Sequence, residues 1–323
     1  MLDYPVTYEN STTFSNYRGS TSHIDFPVEK RHLFRAVDQS TSSIPLTKFE
    51  HVPNRYEIVR TDSNTHLGTV GNAYTISPWK PNVDIIKEAM EESARNGDIN
   101  LTDADIDFAV YEGGRKMKMT VDLPHHKIEP VVGDIVKCQL RGLDSYDGTW
   151  SRSLQYLPLR LACLNGMVLP AYQLRYKIKH TKQISNNEQI ERMIPVICQS
   201  VSRFHGEEGK LKTWATTYVN RENALEMLKK TICKYTDSSN GDDRVSERTM
   251  DILKDKVYYY YRSLGDYTVW CIYNAVTDWA THVSPENTTG RPHNVILKRQ
   301  NQVETMLNSD AWNKLLHDSG VSS

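Results

Sequence analysis

From Asp107 to Lys182 the chain alternates apolar and polar positions with the two-residue period of strands that bury one face. Ile106, Phe108 and Val110 alternate with Asp107, Ala109 and Tyr111, and Gly113-Gly114 suits the positive φ of a tight hairpin turn. On the return, Met117, Met119, Val121 and Leu123 share one face, and Lys116, Lys118, Thr120 and Asp122 the other. Asp134 to Arg141 repeats the scheme, with Val136, Cys138 and Leu140 inward and Lys137, Gln139 and Arg141 outward. A loop from Gly142 to Gly148 then leads into a strand from Thr149 to Leu157 that pairs back. Pro158 fits the first turn of a short helix, Leu159 to Leu164, closed by Asn165-Gly166. A last strand, Gln173 to Lys179, places Leu174, Tyr176 and Ile178 inside and Arg175, Lys177 and Lys179 outside.

Upstream, Tyr56 and Ile58 alternate with Glu57 and Val59, Asp62-Ser63-Asn64 supplies turn chemistry, and Leu67 to Tyr74 returns as a second strand. Pro78 and Pro81 end that strand, and the spacing of Val83, Ile86, Ala89, Met90 and Ala94 predicts a helix to Arg95, stopped at Asn96-Gly97. The first 53 residues are rich in Ser, Thr and Asn and have no sustained period, apart from a helical turn over His32 to Val37. They read as a partly ordered arm, with Ser40 to Ser43 as a linker. Beyond Ser185 the period becomes helical: 187–204, 211–218, 221–235, 246–262, 267–282 and one or two helices within 294–317. Tyr258 to Tyr261 covers every side of its helix, so some of these rings must be exposed. The expected fold is α+β: an antiparallel, hairpin-rich sheet with a short helix, followed by a mostly α-helical C-terminal half. The expected parts are an arm (1–53), a sheet domain with a basic face (54–184) and a helical region (185–323).

Bulk composition adds limits. The 323 residues are 38% hydrophobic, with six Trp, 18 Tyr and six Phe, which suffices for a core. No run of about 18 apolar residues suggests a membrane span, and the first residues lack the basic and apolar regions of a signal peptide. Five cysteines, Cys138, Cys163, Cys198, Cys233 and Cys271, are dispersed and odd in number, which points to reduced thiols in a cytoplasm. The net charge is −1, yet Val110 to Lys182 holds 12 Lys and Arg against 6 Asp and Glu. If the strands share a sheet, one face carries Lys116, Lys118, Lys137, Arg141, Arg175, Lys177 and Lys179. Such a face either solvates an open sheet or attracts an anionic partner.

Most catalytic patterns fail. Gly206 to Leu211 lacks the spacing and the hydroxyl of a phosphate-binding loop, and Gly68 to Gly71 is not followed by a helix. His125-His126, read as a loop pair, has no i,i+4 spacing and no neighbouring Cys, so no metal or other cofactor is expected. Glu129, Asp134, Asp144 and Asp147 faintly suggest the carboxylates of a metal-dependent nuclease, although acids bordering strands are common as turn residues. His180, His205 and His282 have no nucleophile identifiable beside them. The loop Asp144 to Arg152 combines Tyr146 and Trp150 with hydroxyls and Arg152 at a strand tip beside the basic face. Trp150 serves equally well as a core anchor.

Several segments together resemble a family of bacteriophage and plasmid proteins, the domain of unknown function 932. They are Val59 to Asp62, Leu67 to Tyr74, Gly113 to Lys116, Ser145-Tyr146-Asp147-Gly148, Pro158 to Asn165, and Trp270 to Trp279. The resemblance runs from about Arg55 to His282. Tyr146 stands where the family usually has His, which weakens any role for a His there. The family implies mobile-element origin and no fixed activity. A hairpin sheet with a basic face plus helices also looks like phage single-strand annealing proteins, an analogy of fold alone.

The resulting expectation is a non-enzymatic phage protein in the host cytoplasm, away from membranes, binding single-stranded DNA for strand annealing in replication or recombination. Lys116, Lys118, Lys137, Arg141, Arg152, Arg175, Lys177 and Lys179 would neutralise phosphates, and Tyr146 and Trp150 would stack on bases. Homo-oligomerisation is left open. The alternatives are a non-catalytic interaction or structural protein acting through its helical half and, more remotely, the nuclease.

Overall fold

The structure, a computed structural model, describes residues 24–38, 47–160, 165–166, 175–181, 185–236, 241–282 and 292–320. The chain divides into two compact units, each drawn from separated segments. The first takes 1–125, 139–156 and 174–201, and the second takes 126–138, 157–173 and 202–323. The fold class is α+β, as expected. No helix among the described residues is long and apolar enough to cross a membrane.

In the first unit, β1 (Val28–Asp38), β2 (Thr47–Arg60) and β3 (Thr65–Gly71) form an antiparallel sheet in that order. The predicted pairing of Arg55–Arg60 with the strand after Asn64 is present, with Arg55 opposite Gly71. His32 to Val37, expected as a helical turn, lies instead in β1, because Phe34 and Val37 pair with His51 and Lys48 far along the chain. The predicted linker Ser40 to Ser43 falls outside the described residues. Helix α1 (Trp79–Arg95) starts before the expected Val83. Pro81 sits inside its first turn, where a missing N–H leaves no hydrogen bond unmade. The helix ends at Asn96-Gly97 as predicted, with Gly97 at φ +83°.

The central strands are β4 (Asp105–Tyr111), β5 (Lys116–Val131), β6 (Asp134–Ser145), β7 (Arg152–Tyr156), β8 (Leu159–Arg160), β9 (Asn165–Gly166) and β10 (Arg175–Ile178). The main strand order is β10-β7-β6-β5-β4. Gly113 and Gly114 turn the β4–β5 hairpin at φ +71° and +108°, which matches the expectation. Met117, Met119, Val121 and Leu123 are buried, as are Val136, Cys138 and Leu140. Several boundaries differ from those expected, and β7 starts at Arg152 rather than Thr149. β5 runs on through His125-His126, β6 runs on to Ser145, and Leu159–Arg160 is a strand paired with Val136 and Lys137 rather than the start of a helix. Residues 161–164 of that predicted helix lie outside the described residues.

Helix α2 (Asn186–Gly206) opens the helical series. It continues with α3 (Glu208–Thr216), α4 (Arg221–Thr231), a small ribbon of β11 (Lys234–Thr236) and β12 (Asp243–Val245), α5 (Glu247–Leu264), α6 (Val269–Thr281), α7 (Pro292–Leu307) and α8 (Asp310–Asp318). Asn220, Ser246, Thr268 and Ser309 cap α4, α5, α6 and α8, each accepting from the amide three residues on. Helix α6 is apolar on nearly all sides and is buried from Val269 to Thr277, as the core helix of its unit must be. Within that unit Asp134 accepts from Arg160 Nε at 2.6 Å and Nη2 at 2.7 Å, and from the Trp270 indole at 2.8 Å. A buried ion pair is thus closed by a third donor.

Candidate functional site

The strand register places several predicted cations on one face of the sheet. Arg141 pairs with Gln155, and Gln155 with Arg175, so the three residues form a row across β6, β7 and β10. Lys118 shares that environment and repels Arg141. This row is not an open surface. Arg141 is only 7% exposed, and loss of solvent together with the neighbouring Arg175 pushes its guanidinium down to about 10. Burial, then Arg141, likewise lowers Lys118.

Three of the expected contact residues are corrected by the structure. Lys116 is 3% exposed, with Glu112 at 3.2 Å, Asp147 at 3.8 Å and the Trp150 ring centre at 5.4 Å from its ammonium. Acids in the flanking turns, not those in the strands, neutralise it. Arg141 is covered rather than outward. Tyr146 is 1% exposed, stacked on Trp79 at 4.5 Å with Phe26 edge-on at 5.9 Å, so its ring has no face left for a base. Lys118, Lys137, Trp150, Arg152 and Arg175 are half-buried, with Lys137 in the second unit. Lys177 and Lys179 are exposed.

The loop after β6 is tightly built. Ser145 Oγ accepts from the Trp150 amide at 2.9 Å and donates to its carbonyl at 3.1 Å. Asp147 accepts from the Thr149 amide and hydroxyl, the short local turn that Asp favours. Gly68 of β3 runs against this loop so closely that a Cβ there would lie 2.7 Å from Asp147 Cα. The Gly68 and Ser145-to-Gly148 segments, far apart in sequence, therefore meet in one place.

Beside this loop is a cavity of about 360 Å³, lined by Thr75 to Ser77, the first turns of α1 and α2, Arg152, and Ile178 to His180. Two of the lining residues, Arg152 and His180, meet Asp144, whose side chain is 2% exposed. Asp144 Oδ1 accepts from the Ser145 amide at 2.7 Å, and Oδ2 meets Arg152 Nε at 3.3 Å. His180 Nε2 approaches Asp144 Oδ1 to 3.1 Å, close enough for an ion pair but not aligned as a hydrogen bond. Neither ring nitrogen of His180 has a hydrogen-bond partner among the described residues. The imidazole stacks on Tyr74 at 4.9 Å, and the His180 carbonyl accepts from the Thr75 amide at 2.7 Å. Tyr74 in turn donates to the Ser145 carbonyl, and burial, then Asp144, raises its phenol far above the ordinary range. Arg152 also donates to Gln189 of α2 at 3.2 Å.

Of the predicted contact residues, this cavity takes in Arg152 and Lys179. Sequence reasoning missed His180, Asp144 and Gln189 as a group. Taken singly, Asp144 reads as a nuclease carboxylate and His180 as an isolated histidine, and they stand 36 positions apart. Among the described residues no group of three His, Cys, Asp or Glu is placed to hold a metal ion.

A hairpin sheet, a Ser-Tyr-Asp-Gly loop and an Asp144–Arg152–His180 cluster define an α+β protein with a polar, ligand-sized cavity in its first unit. Residues 66–312 match the family described as domain of unknown function DUF932, and the chain belongs to that family. The matched span includes every cavity residue and leaves out β1 and β2. Neither a curated protein nor a solved structure matches the chain.

Proposed function

We propose that this protein binds single-stranded DNA along the β10 edge of its sheet. One observation carries the reading: Lys177 and Lys179 are exposed on and just after the terminal strand β10, and Lys179 with Arg152 lines the cavity. Exposed cations along an edge follow a phosphate backbone, and each contact releases a counterion. Trp150, half-exposed at the loop tip, keeps some ring surface for a base. The footprint is narrower than a seven-cation face. Strand annealing during replication or recombination of a mobile element in the host cytoplasm is the process such binding would serve, in keeping with the family resemblance.

Fluorescence anisotropy with a labelled oligonucleotide across a salt series tests the reading. Affinity is expected to fall steeply with salt, and Lys177→Ala/Lys179→Ala to reduce the log–log slope by about 0.7 per cation removed. Absence of binding at low salt removes the reading.

A second reading rests on α5. Tyr258 and Tyr259 are 56% and 60% exposed while Tyr260 is buried, a pair of outward aromatics suited to a protein partner. Under that reading Tyr258→Ser/Tyr259→Ser abolishes partner capture and leaves DNA affinity unchanged.

A further inference from the structure

We infer that the cavity of the first unit is a binding site for a phosphomonoester, with the phosphate seated between Arg152, His180 and the first turn of α1. The inference does not depend on strand binding, since inorganic phosphate alone would occupy the site.

Three independent features meet there. The first is the start of α1, a 17-residue helix with Pro78 at its cap position, no side-chain cap and no acid in its first turn. Pro81 has no N–H and the Trp79 amide meets the Tyr146 hydroxyl, so the helix start offers the cavity the partial positive charge of its dipole. The first turn of α2 lines the same space through Asn186 and Gln189.

The second feature is His180, whose side chain is 6% exposed yet whose ring nitrogens lack hydrogen-bond partners. A buried polar group left in this state is costly, and a ligand oxygen would satisfy it. The third is charge. Arg152 and Lys179 line the cavity, and Asp144, the carboxylate in contact with Arg152 and His180, is already engaged by the Ser145 amide and by Arg152. Asp144 holds Arg152 and His180 in place, and the remaining guanidinium donors match a planar pair of phosphate oxygens.

Size selects the class of ligand. A cavity of about 360 Å³ lies at the small end of ordinary ligand pockets and leaves room beyond one phosphate for an attached organic group. A nucleoside monophosphate and the phosphorylated 5′ end of a strand present the same chemistry.

Isothermal titration of the full chain with inorganic phosphate, a nucleoside monophosphate and the unphosphorylated nucleoside tests the site. Phosphate and the monophosphate are expected to bind, and the nucleoside is not. Oligonucleotides with and without a 5′-phosphate separate the sources. At least tenfold tighter binding of the phosphorylated form, competed by inorganic phosphate, assigns the site to strand ends, whereas equal affinities assign it to free monoesters. His180→Gln and Arg152→Gln are each expected to weaken phosphate binding about tenfold or more. Arg152→Gln strips a partner from buried Asp144, so Lys179→Gln at the rim provides a substitution that leaves the melting temperature unchanged and weakens phosphate several-fold. No phosphate binding at millimolar concentration, or equal affinity in wild type, His180→Gln and Lys179→Gln, overturns the inference. Phosphate binding without strand binding upholds this site and removes the strand reading. Strand binding without phosphate binding does the reverse.

Discussion

His180 Nε2 lies 3.1 Å from Asp144 Oδ1, and both side chains are almost wholly withdrawn from solvent. The two residues stand at the end of β6 and just beyond β10, separated in the sheet by β7, which supplies Arg152 to the same carboxylate. One acid thus positions two of the groups that face the cavity.

Replacing that acid has a definite consequence. Asp144→Asn leaves Arg152 buried without its counter-charge, and breaking such a pair costs about 3 kcal/mol or more. Urea unfolding is expected to show a loss of that order. A double substitution Asp144→Asn/Arg152→Gln is expected to recover part of it, because no unpaired buried charge remains. Additive losses would argue against coupling of the pair.

The second unit contains a comparable arrangement at Asp134, Arg160 and Trp270. Arg160→Met is expected to destabilise by about 3–5 kcal/mol through the orphaned Asp134. Trp270→Phe keeps most of the buried ring and removes one hydrogen bond to a charged group, about 1.5–3 kcal/mol. Thermal unfolding of the two variants should therefore rank Arg160→Met as the more damaging.

Two glycines of β3 and its end give a steric comparison. A Cβ at Gly68 meets Asp147 Cα at 2.7 Å, whereas one at Gly71 meets nothing within 4 Å. Gly68→Ala must displace backbone and is expected to cost about 1–3 kcal/mol, while Gly71→Ala is expected to be near neutral. Equal melting temperatures for the two would show that the Ser145-to-Gly148 loop yields freely.

Acid stability should carry the signature of Asp278. Burial alone would raise its pKa, but hydrogen bonds from His282 and Lys256 outweigh that and hold the carboxyl at about 2, below its ordinary 3.8. A depressed carboxyl contributes stability that is fully present above the unfolded value and is lost as pH falls through the folded one. The loss is expected between about pH 4 and pH 2. After solvent screening it amounts to on the order of 1–2 kcal/mol. In Asp278→Asn that part of the pH dependence should vanish from a stability profile measured by urea unfolding.

Much of this protein was legible in its periodicity. The alternation from Met117 to Leu123 and from Val136 to Leu140 identified the buried faces, Gly113-Gly114 identified the turn, and the helical spacing beyond Ser185 identified the helices, except that 221–235 stops at Thr231 and Lys234–Thr236 is the strand β11, paired with β12. These features are local: side-chain period, φ preference and capping are properties of neighbouring residues. His32 to Val37 departed from its local reading because a strand partner 11 residues or more away decided its conformation. β6 runs on past Arg141, and Leu159–Arg160 is strand rather than helix, for the same reason, through pairing of β6 with β7 and with β8.

The candidate site was settled almost entirely by tertiary structure. Sequence assigned Lys116 and Arg141 to the outward side of their strands, and it could not tell that Glu112 and Asp147 reach Lys116 or that Arg141 is covered. Alternation says which face a residue occupies, but solvent access depends on what packs over that face. Asp144, Arg152 and His180 are drawn together by antiparallel pairing across β6, β7 and β10, and α1 and α2 bring their first turns to the same cavity. The sequence alone determined the elements and the sign of the charge in the middle of the chain. Only the fold, by moving distant residues to within 3–4 Å and removing water from between them, decided which of those charges stand free and which form a site.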